Sequence, residues 1–106
     1  MNRRIILTAV ARADLNSSAR WYDCQEANLS VRFKAEVYAA LLRIARYPSA
    51  YLCVDNRTRR AVMNRFRYYI YFTFDATSVL VLAIVHQRRA DSVWLKRKDG
   101  IDRGDP

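Results

Sequence analysis

The chain has 106 residues, a length that fits one domain and is too short for two. Its formal net charge is +9, and its 19 cationic residues are 16 arginines and three lysines. Arginine forms planar, bidentate contacts with carboxylates and phosphates, so this excess indicates an anionic partner, either a nucleic acid or an acidic protein. Hydrophobic residues make up 52% of the chain, enough to bury a core.

Several kinds of site are excluded by composition. The two glycines, Gly100 and Gly104, lie near the end of the chain, so it has no glycine-rich phosphate loop. His86 and the two cysteines match no zinc spacing, and we expect neither a metal nor a cofactor. We expect Cys24 and Cys53 to be buried or half-buried free thiols, although the sequence leaves a disulfide open. No apolar run approaches the length of a membrane helix, so we expect a cytoplasmic protein without membrane contact.

The first half of the chain predicts one strand and two helices. Residues 4–8 form a β-branched run typical of a strand, and residues 9–25 carry apolar side chains at helical spacing. A second helix is predicted to end by about Tyr47, before Pro48, and its apolar stripe contains Phe33, Val37, Ala40, Leu41 and Ile44. The short link at residues 28–30, which carries N-cap residues, predicts a helical hairpin.

The second half predicts strands. Residues 51–54 form a short extended piece, and residues 60–64 and 68–75 form two strands. Residues 79–85 are apolar at every position, which predicts a central strand covered on both faces. Beyond it, Asp91–Ser92 are expected to cap a single helical turn.

The predicted fold class is therefore α+β, in the order β-α-α-β-β-β. The helical hairpin packs on one face of a small antiparallel sheet, and the first strand joins at an edge or beside the central strand. The other sheet face is left partly open. We expect one domain over residues 1–97, followed by a flexible charged tail over residues 98–106.

Residues 55–89 carry seven arginines and two acids, a net charge of +5. These arginines cluster at the start of the second strand and after the end of the fourth, and we expect these two ends to meet in one basic patch. The patch is interpreted as a site for phosphates or acidic residues, with a solvated basic surface as the alternative. Its candidate anion-binding residues are Arg57, Arg60, Arg65, His86, Arg88, Arg89 and Arg97.

Aromatic residues fill the third strand. Strand alternation predicts that Tyr69 and Tyr71 lie on the open face, where they could stack bases. The alternative is that tyrosines simply suit a half-exposed strand. The apolar parity, which should face the helices, contains Phe66, Tyr68, Ile70, Phe72 and Phe74.

His86 is the one side chain whose reference pKa lies near neutrality. Its arginine neighbours favour the neutral form that a general base needs. Its parity, however, matches that of Leu80, Leu82 and Ile84, which favours a structural or binding role over catalysis. After the last strand, Trp94 is expected to pack and Arg97 to be exposed.

An ordered set of short motifs runs from about residue 5 to residue 97. Its parts are Ala13-Asp14-Leu15, Trp21-Tyr22, Arg32-Phe33, Arg65-Phe66-Arg67-Tyr68, His86-Gln87-Arg88-Arg89 and Trp94-Leu95-Lys96-Arg97. In this order they resemble the RelE/ParE superfamily of type II toxin–antitoxin toxins. One departure is Arg67, where family members usually carry proline; we expect little cost, because a strand tolerates arginine better than proline.

The resemblance implies the same helical hairpin on a small antiparallel sheet. It also implies an inhibitory toxin, associated with plasmid stabilisation, that an acidic antitoxin from the same operon holds inactive. The complex would bind promoter DNA through the antitoxin. We expect the antitoxin to cover the sheet and the basic patch.

The resemblance leaves two targets, since RelE-like members cut mRNA in the ribosome and ParE-like members poison DNA gyrase. RNA cleavage needs a base, an acid and a cation. His86, Arg65 and Arg88 could supply part of this set, but the terminal tyrosine of the RelE-type pattern is absent. This favours a ParE-like gyrase poison. The alternatives are a RelE-like ribosome-dependent mRNA endonuclease and a non-catalytic nucleic-acid-binding module.

Overall fold

A computed structural model describes residues 3–102, with side chains described up to residue 97. The elements are β1 (Arg4–Leu7), α1 (Ala9–Gln25), α2 (Leu29–Arg46), β2 (Leu52–Asp55), β3 (Thr58–Val62), β4 (Tyr68–Phe74), β5 (Ser78–His86) and α3 (Ala90–Asp102). Short 3₁₀ turns lie at Pro48–Ala50 and Gln87–Arg89. The predicted α+β class is confirmed. In this part of the chain no helix is both long and apolar enough to cross a membrane.

The sheet has five strands in the order β1-β5-β4-β3-β2. β1 joins at an edge and runs parallel to β5, whereas all other neighbours are antiparallel. The extended piece predicted at residues 51–54 is the edge strand β2, so the sheet has one strand more than the predicted order. β5 lies inside the sheet, as its apolar sequence predicts.

The helical hairpin covers one face of the sheet. Thr8 caps α1 by accepting a hydrogen bond from the N–H of Ala11 at 3.1 Å. Asn28 precedes α2 in a left-handed conformation and makes no side-chain cap. Ser30 instead donates a hydrogen bond to Asp23 of α1, which joins the two helices at their connection. The predicted apolar stripe of α2 is confirmed as buried core, together with side chains from β3, β4 and β5.

Part of the second sheet face is covered by α3, which corrects the prediction of a single helical turn, while Ile6, Val62 and Leu80 on that face stay 38%, 52% and 36% exposed. Trp94 is 7% exposed and stacks on Tyr71, with ring centroids 4.4 Å apart and planes 5° from parallel. These rings form a second core with Ala83, Val85 and Ala90. α3 continues to Asp102, through the first part of the predicted tail. The rest of that tail, residues 103–106, lies outside the described residues.

A β-bulge interrupts the pairing of β5 with β4. Tyr71 pairs with Ala83 and Phe72 with Val81, so the pairing skips Leu82. The side-chain alternation therefore reverses at this point. As a result, Ile84 and His86 face the helical hairpin with Val81, and the expected shared parity of His86 with Leu80 and Leu82 is wrong.

The loop between β3 and β4 contains two consecutive left-handed residues, Phe66 (φ 68°) and Arg67 (φ 52°). The ring of Phe66 is held edge-on by Tyr22 and Phe33, with centroid distances of 5.0 and 5.3 Å. Arg67 precedes β4 and is not part of a strand. The expectation that arginine is tolerated there because it suits a strand is therefore wrong. Proline fixes φ near −65°, so the conformation of Arg67 is closed to proline.

Candidate functional site

The two predicted arginine clusters do not meet. β3 and β5 are both antiparallel to β4, so they run in the same direction and the start of β3 lies beside the start of β5. Arg57 accordingly lines a depression with Ser78 at the start of β5. Arg88 and Arg89 follow the other end of that strand. The prediction of one convergent patch is wrong, because the start of β3 and the end of β5 lie at opposite ends of the sheet.

Four residues do come together at the end of β5: Arg67, His86, Arg88 and Arg89, here called the basic rim. The carbonyl of Arg67 accepts a hydrogen bond from the N–H of Gln87 at 2.9 Å, which ties the β3–β4 loop to the turn after β5. Burial, followed by the charges of Arg88, Arg67 and Arg89, holds the pKa of His86 below its ordinary value. Sequence reasoning missed Arg67 as a member because it assigned that residue to a strand.

His86 has a defined ring orientation. Its Nδ1 accepts a hydrogen bond from the N–H of Arg88 at 3.1 Å, so the neutral ring carries its proton on Nε2. The ring packs edge-on against its cross-strand neighbour Tyr68, with centroids 5.3 Å apart. The ring of His86 is thus held by a local hydrogen bond from the backbone.

Beside His86 lies a cavity of about 130 Å³ between α1, β5 and α3, here called the rim cavity. Its polar lining consists of Asp14, Ser17, Ser18, Tyr68, His86, Arg89 and Arg97. The hydroxyl of Tyr68 donates a hydrogen bond to Ser18 Oγ at 3.0 Å. The rim cavity thus joins one side of the basic rim to hydroxyl groups of α1.

Arg97 is not a free exposed cation, contrary to expectation. It donates two hydrogen bonds to Asp14, at 2.7 and 2.9 Å, and its side chain is 30% exposed. Asp14 also accepts the N–H of Ile84 at 3.0 Å. Ile84 lies beyond Val81, the last residue of β5 that pairs with β1, so Asp14 replaces the missing strand partner. One carboxylate therefore joins α1, the edge of β5 and α3.

The other predicted site residues lie apart from the rim cavity. The guanidinium of Arg60 lies 4.1 Å from the ring centroid of Tyr69, which is half-buried. Tyr71 is 2% exposed beneath α3 and cannot stack a base, so its placement on an open face is wrong. Burial raises the pKa of Tyr71, and the nearby guanidinium of Arg60 acts in the opposite direction. Arg65 is exposed and lies 4.0 Å from Glu36.

A second concave surface, here called the hairpin groove, lies between α1, α2 and β1. It has a volume of about 800 Å³ and an apolar lining of Ile5, Leu7, Leu15, Val37, Tyr38 and Leu41. Arg12 and Lys34 also line it, and Tyr38 is 63% exposed. Sequence reasoning missed the groove because it treated the apolar stripes of the hairpin, which contain Val37 and Leu41, wholly as core and did not place Tyr38.

The two cysteines are exposed free thiols, which corrects the expectation that they are buried. Cys53 lies on the edge strand β2, and its thiol donates to the carbonyl of Asn56 at 3.3 Å. Within residues 3–102, no group of three or more His, Cys, Asp or Glu residues is arranged to hold a metal ion.

Comparison with known proteins identifies the family. The model of the ParE toxin of the type II toxin–antitoxin system parDE matches residues 5–91. The fold is similar to that of a chain from the chromosomal ParDE toxin–antitoxin system of P. aeruginosa, with a TM-score of 0.70. That likeness covers 79% of this chain and 95% of the other at 12% identity, so it bears on the fold alone. No curated protein matches the sequence. Since the family model spans most of the chain, the protein belongs to the ParE toxins of type II toxin–antitoxin systems.

Proposed function

We propose that the protein is a growth-inhibitory toxin that poisons DNA gyrase in the cytoplasm and is neutralised by an acidic antitoxin from the same operon. Membership of the ParE family supports this proposal. The observation that carries it against RNA cleavage is the set of contacts around His86. An endonuclease needs a second proton-transfer group beside the first.

Among the described side chains around the rim cavity, the two candidates for that second group, Asp14 and Tyr68, each have a hydrogen-bond partner. Asp14 accepts hydrogen bonds from Arg97 and from the N–H of Ile84, and the hydroxyl of Tyr68 donates a hydrogen bond to Ser18 Oγ. His86 itself uses Nδ1 to accept a backbone N–H. A toxin that acts by binding requires no such pair, whereas a nuclease does.

The decisive experiment uses purified full-length toxin in two assays. We expect it to inhibit supercoiling by gyrase and to accumulate cleaved DNA held by gyrase, because a poison traps the enzyme on DNA. We expect ribosome-bound mRNA to stay intact. Cut mRNA together with normal gyrase activity would instead favour the RelE-like alternative.

We further propose that the antitoxin docks in the hairpin groove with an acidic amphipathic helix. The groove offers an apolar floor for the apolar face of such a helix, with Val37 and Leu41 largely buried beneath it and Tyr38 63% exposed at its surface. Arg12 and Lys34 beside them would attract its acidic residues. The groove is favoured over the sheet because α3 covers part of the second sheet face and the arginine clusters lie at opposite ends of the strands. Promoter binding through the antitoxin remains part of the proposal.

A further inference from the structure

We propose that the rim cavity binds a backbone phosphate of single-stranded nucleic acid, with Trp21 stacking on a neighbouring base. This goes beyond gyrase poisoning, because the toxin itself would bind nucleic acid directly. The proposal rests on the donors that line the cavity, on its charge, on its size and on an exposed aromatic residue one helical turn from its serines.

The cavity brings several hydrogen-bond donors together. Arg89 lines it and belongs to no ion pair with the described side chains. His86 has Nδ1 engaged, so the neutral ring has its N–H at Nε2. Ser18 accepts from Tyr68, which leaves its own hydroxyl proton to donate, and Ser17 adds a second hydroxyl. Donors of these three kinds suit a phosphate, which accepts from several directions.

The charge of the cavity also favours an anion. Among the side chains described up to residue 97, Asp14 is the carboxylate that lines it, and bidentate contact with Arg97 neutralises it. The remaining charge is that of Arg89, reinforced by Arg88 and Arg67 at the basic rim. The same three cations that lower the pKa of His86 would therefore stabilise a bound phosphate.

The size of the cavity limits what enters it. About 130 Å³ is room for about four water molecules, so a phosphate group fits and a nucleoside does not. The bases of a bound strand would lie outside, along the protein surface. Arg67 and Arg88 are exposed there and could meet adjacent phosphates.

Trp21 distinguishes a nucleic acid from other anions. It follows Ser17 and Ser18 by four and three residues, so it lies one turn further along the same face of α1. Trp21 is 58% exposed, and its ring is braced edge-on by Tyr22 at 5.0 Å. An exposed, braced indole one helical turn from Ser17 and Ser18 suits base stacking, which an acidic peptide or a free phosphate would not use.

The experiment measures binding of full-length toxin to a short fluorescent single-stranded DNA by anisotropy. We expect Arg89→Gln to weaken binding about tenfold, because a charged hydrogen bond is lost. The matched control is Arg57→Gln, which removes the same charge from an exposed position at the opposite end of the strands, and we expect less than about a twofold change. Equal weakening by both variants would indicate general attraction to a basic protein and overturn the proposal.

Two further arms test the ligand class. Trp21→Ala should weaken binding and Trp21→Phe should restore it, because phenylalanine keeps a stacking face. Inorganic phosphate should displace the DNA, whereas polyglutamate of equal charge should displace it poorly. If the Trp21 variants bind alike, or polyglutamate competes as well as unlabelled DNA, the site is not one for nucleic acid.

The variants also need to retain the fold, which the near-ultraviolet circular dichroism of the stacked Tyr71 and Trp94 rings reports. Arg88→Gln, at a second exposed position of the rim, should weaken DNA binding in the same direction. The binding assay contains no gyrase. Failure to bind DNA would therefore leave gyrase poisoning standing, and failure to inhibit gyrase would leave the phosphate site standing.

Discussion

The side chain of Asp14 links α1 to β5 and to α3. Its carboxylate accepts two hydrogen bonds from Arg97 and one from the N–H of Ile84. Its side chain is 13% exposed, so these contacts are only weakly screened by water. Residue 14 and residue 97 are 83 positions apart, and no local pattern in the sequence pairs them.

We expect Asp14→Asn to lower the free energy of unfolding by about 1.5–3 kcal/mol, because hydrogen bonds to a charged group are lost. Urea denaturation measures this change. The control is Arg65→Gln, which breaks the exposed 4.0 Å pair with Glu36 and should cost less than about 1 kcal/mol. Equal costs for the two variants would show that the Asp14 contacts stabilise no more than a surface pair.

His86 makes stability depend on pH. Its pKa in the folded protein is lowered from the ordinary 6.5, so below about pH 6.5 the unfolded chain takes up a proton before the folded one does. Stability should therefore fall as pH falls through this range. His86→Asn keeps an acceptor for the N–H of Arg88 but does not titrate, and its unfolding free energy should lack this component. The difference between the two proteins is measured by denaturation from about pH 7.5 to about pH 5. A difference independent of pH would contradict the prediction.

At the scale of the element, α2 is the helix that the sequence predicts best. Its apolar stripe repeats at helical spacing, and the structure buries that stripe against the sheet. Leu41 lies on the buried face of α2 and is 4% exposed. The adjacent Leu42 lies on the outer face and is 45% exposed.

We expect Leu41→Ala to lower the free energy of unfolding by about 2–5 kcal/mol, because it removes buried methyl groups and leaves a cavity. Leu42→Ala is the matched control and should cost less than about 1 kcal/mol, because its side chain is largely in water already. Chemical denaturation of both variants measures the two costs. Similar costs would mean that the stripe does not pack as the structure has it.

α3 was the element that sequence reasoning predicted least well. Its residues include many charges, and only a few apolar side chains, such as Trp94 and Val93, reach the sheet. Its position depends on Tyr71, which strand alternation correctly places on the face away from the hairpin. What alternation does not reveal is that another element of the chain covers that face.

For the whole molecule, the antitoxin proposal depends on the hairpin groove. We expect Tyr38→Ala to weaken antitoxin binding at least about tenfold, because exposed aromatic residues in a groove often dominate binding energy. Tyr47→Ala is the control, since Tyr47 is 62% exposed, close to the 63% of Tyr38, and does not line the groove. Calorimetric titration with the cognate antitoxin measures both. Equal effects would place the antitoxin elsewhere.

Local patterns in the sequence determined much of this protein. Helical spacing, β-branched runs and turn residues depend on neighbours a few positions apart, so they predicted α1, α2 and the strands closely. The ordered motifs predicted the RelE/ParE superfamily, which the family match confirms. The charge of +9 predicts an anionic partner.

Which residues far apart in the chain come into contact depends on the tertiary structure. Strand direction separates Arg57 from Arg88 and Arg89, and the loop before β4 brings Arg67 to them instead. α3 buries Tyr71, and Asp14 engages Arg97. Each of these contacts joins residues far apart in the chain, and its energy depends on geometry that composition and periodicity do not encode.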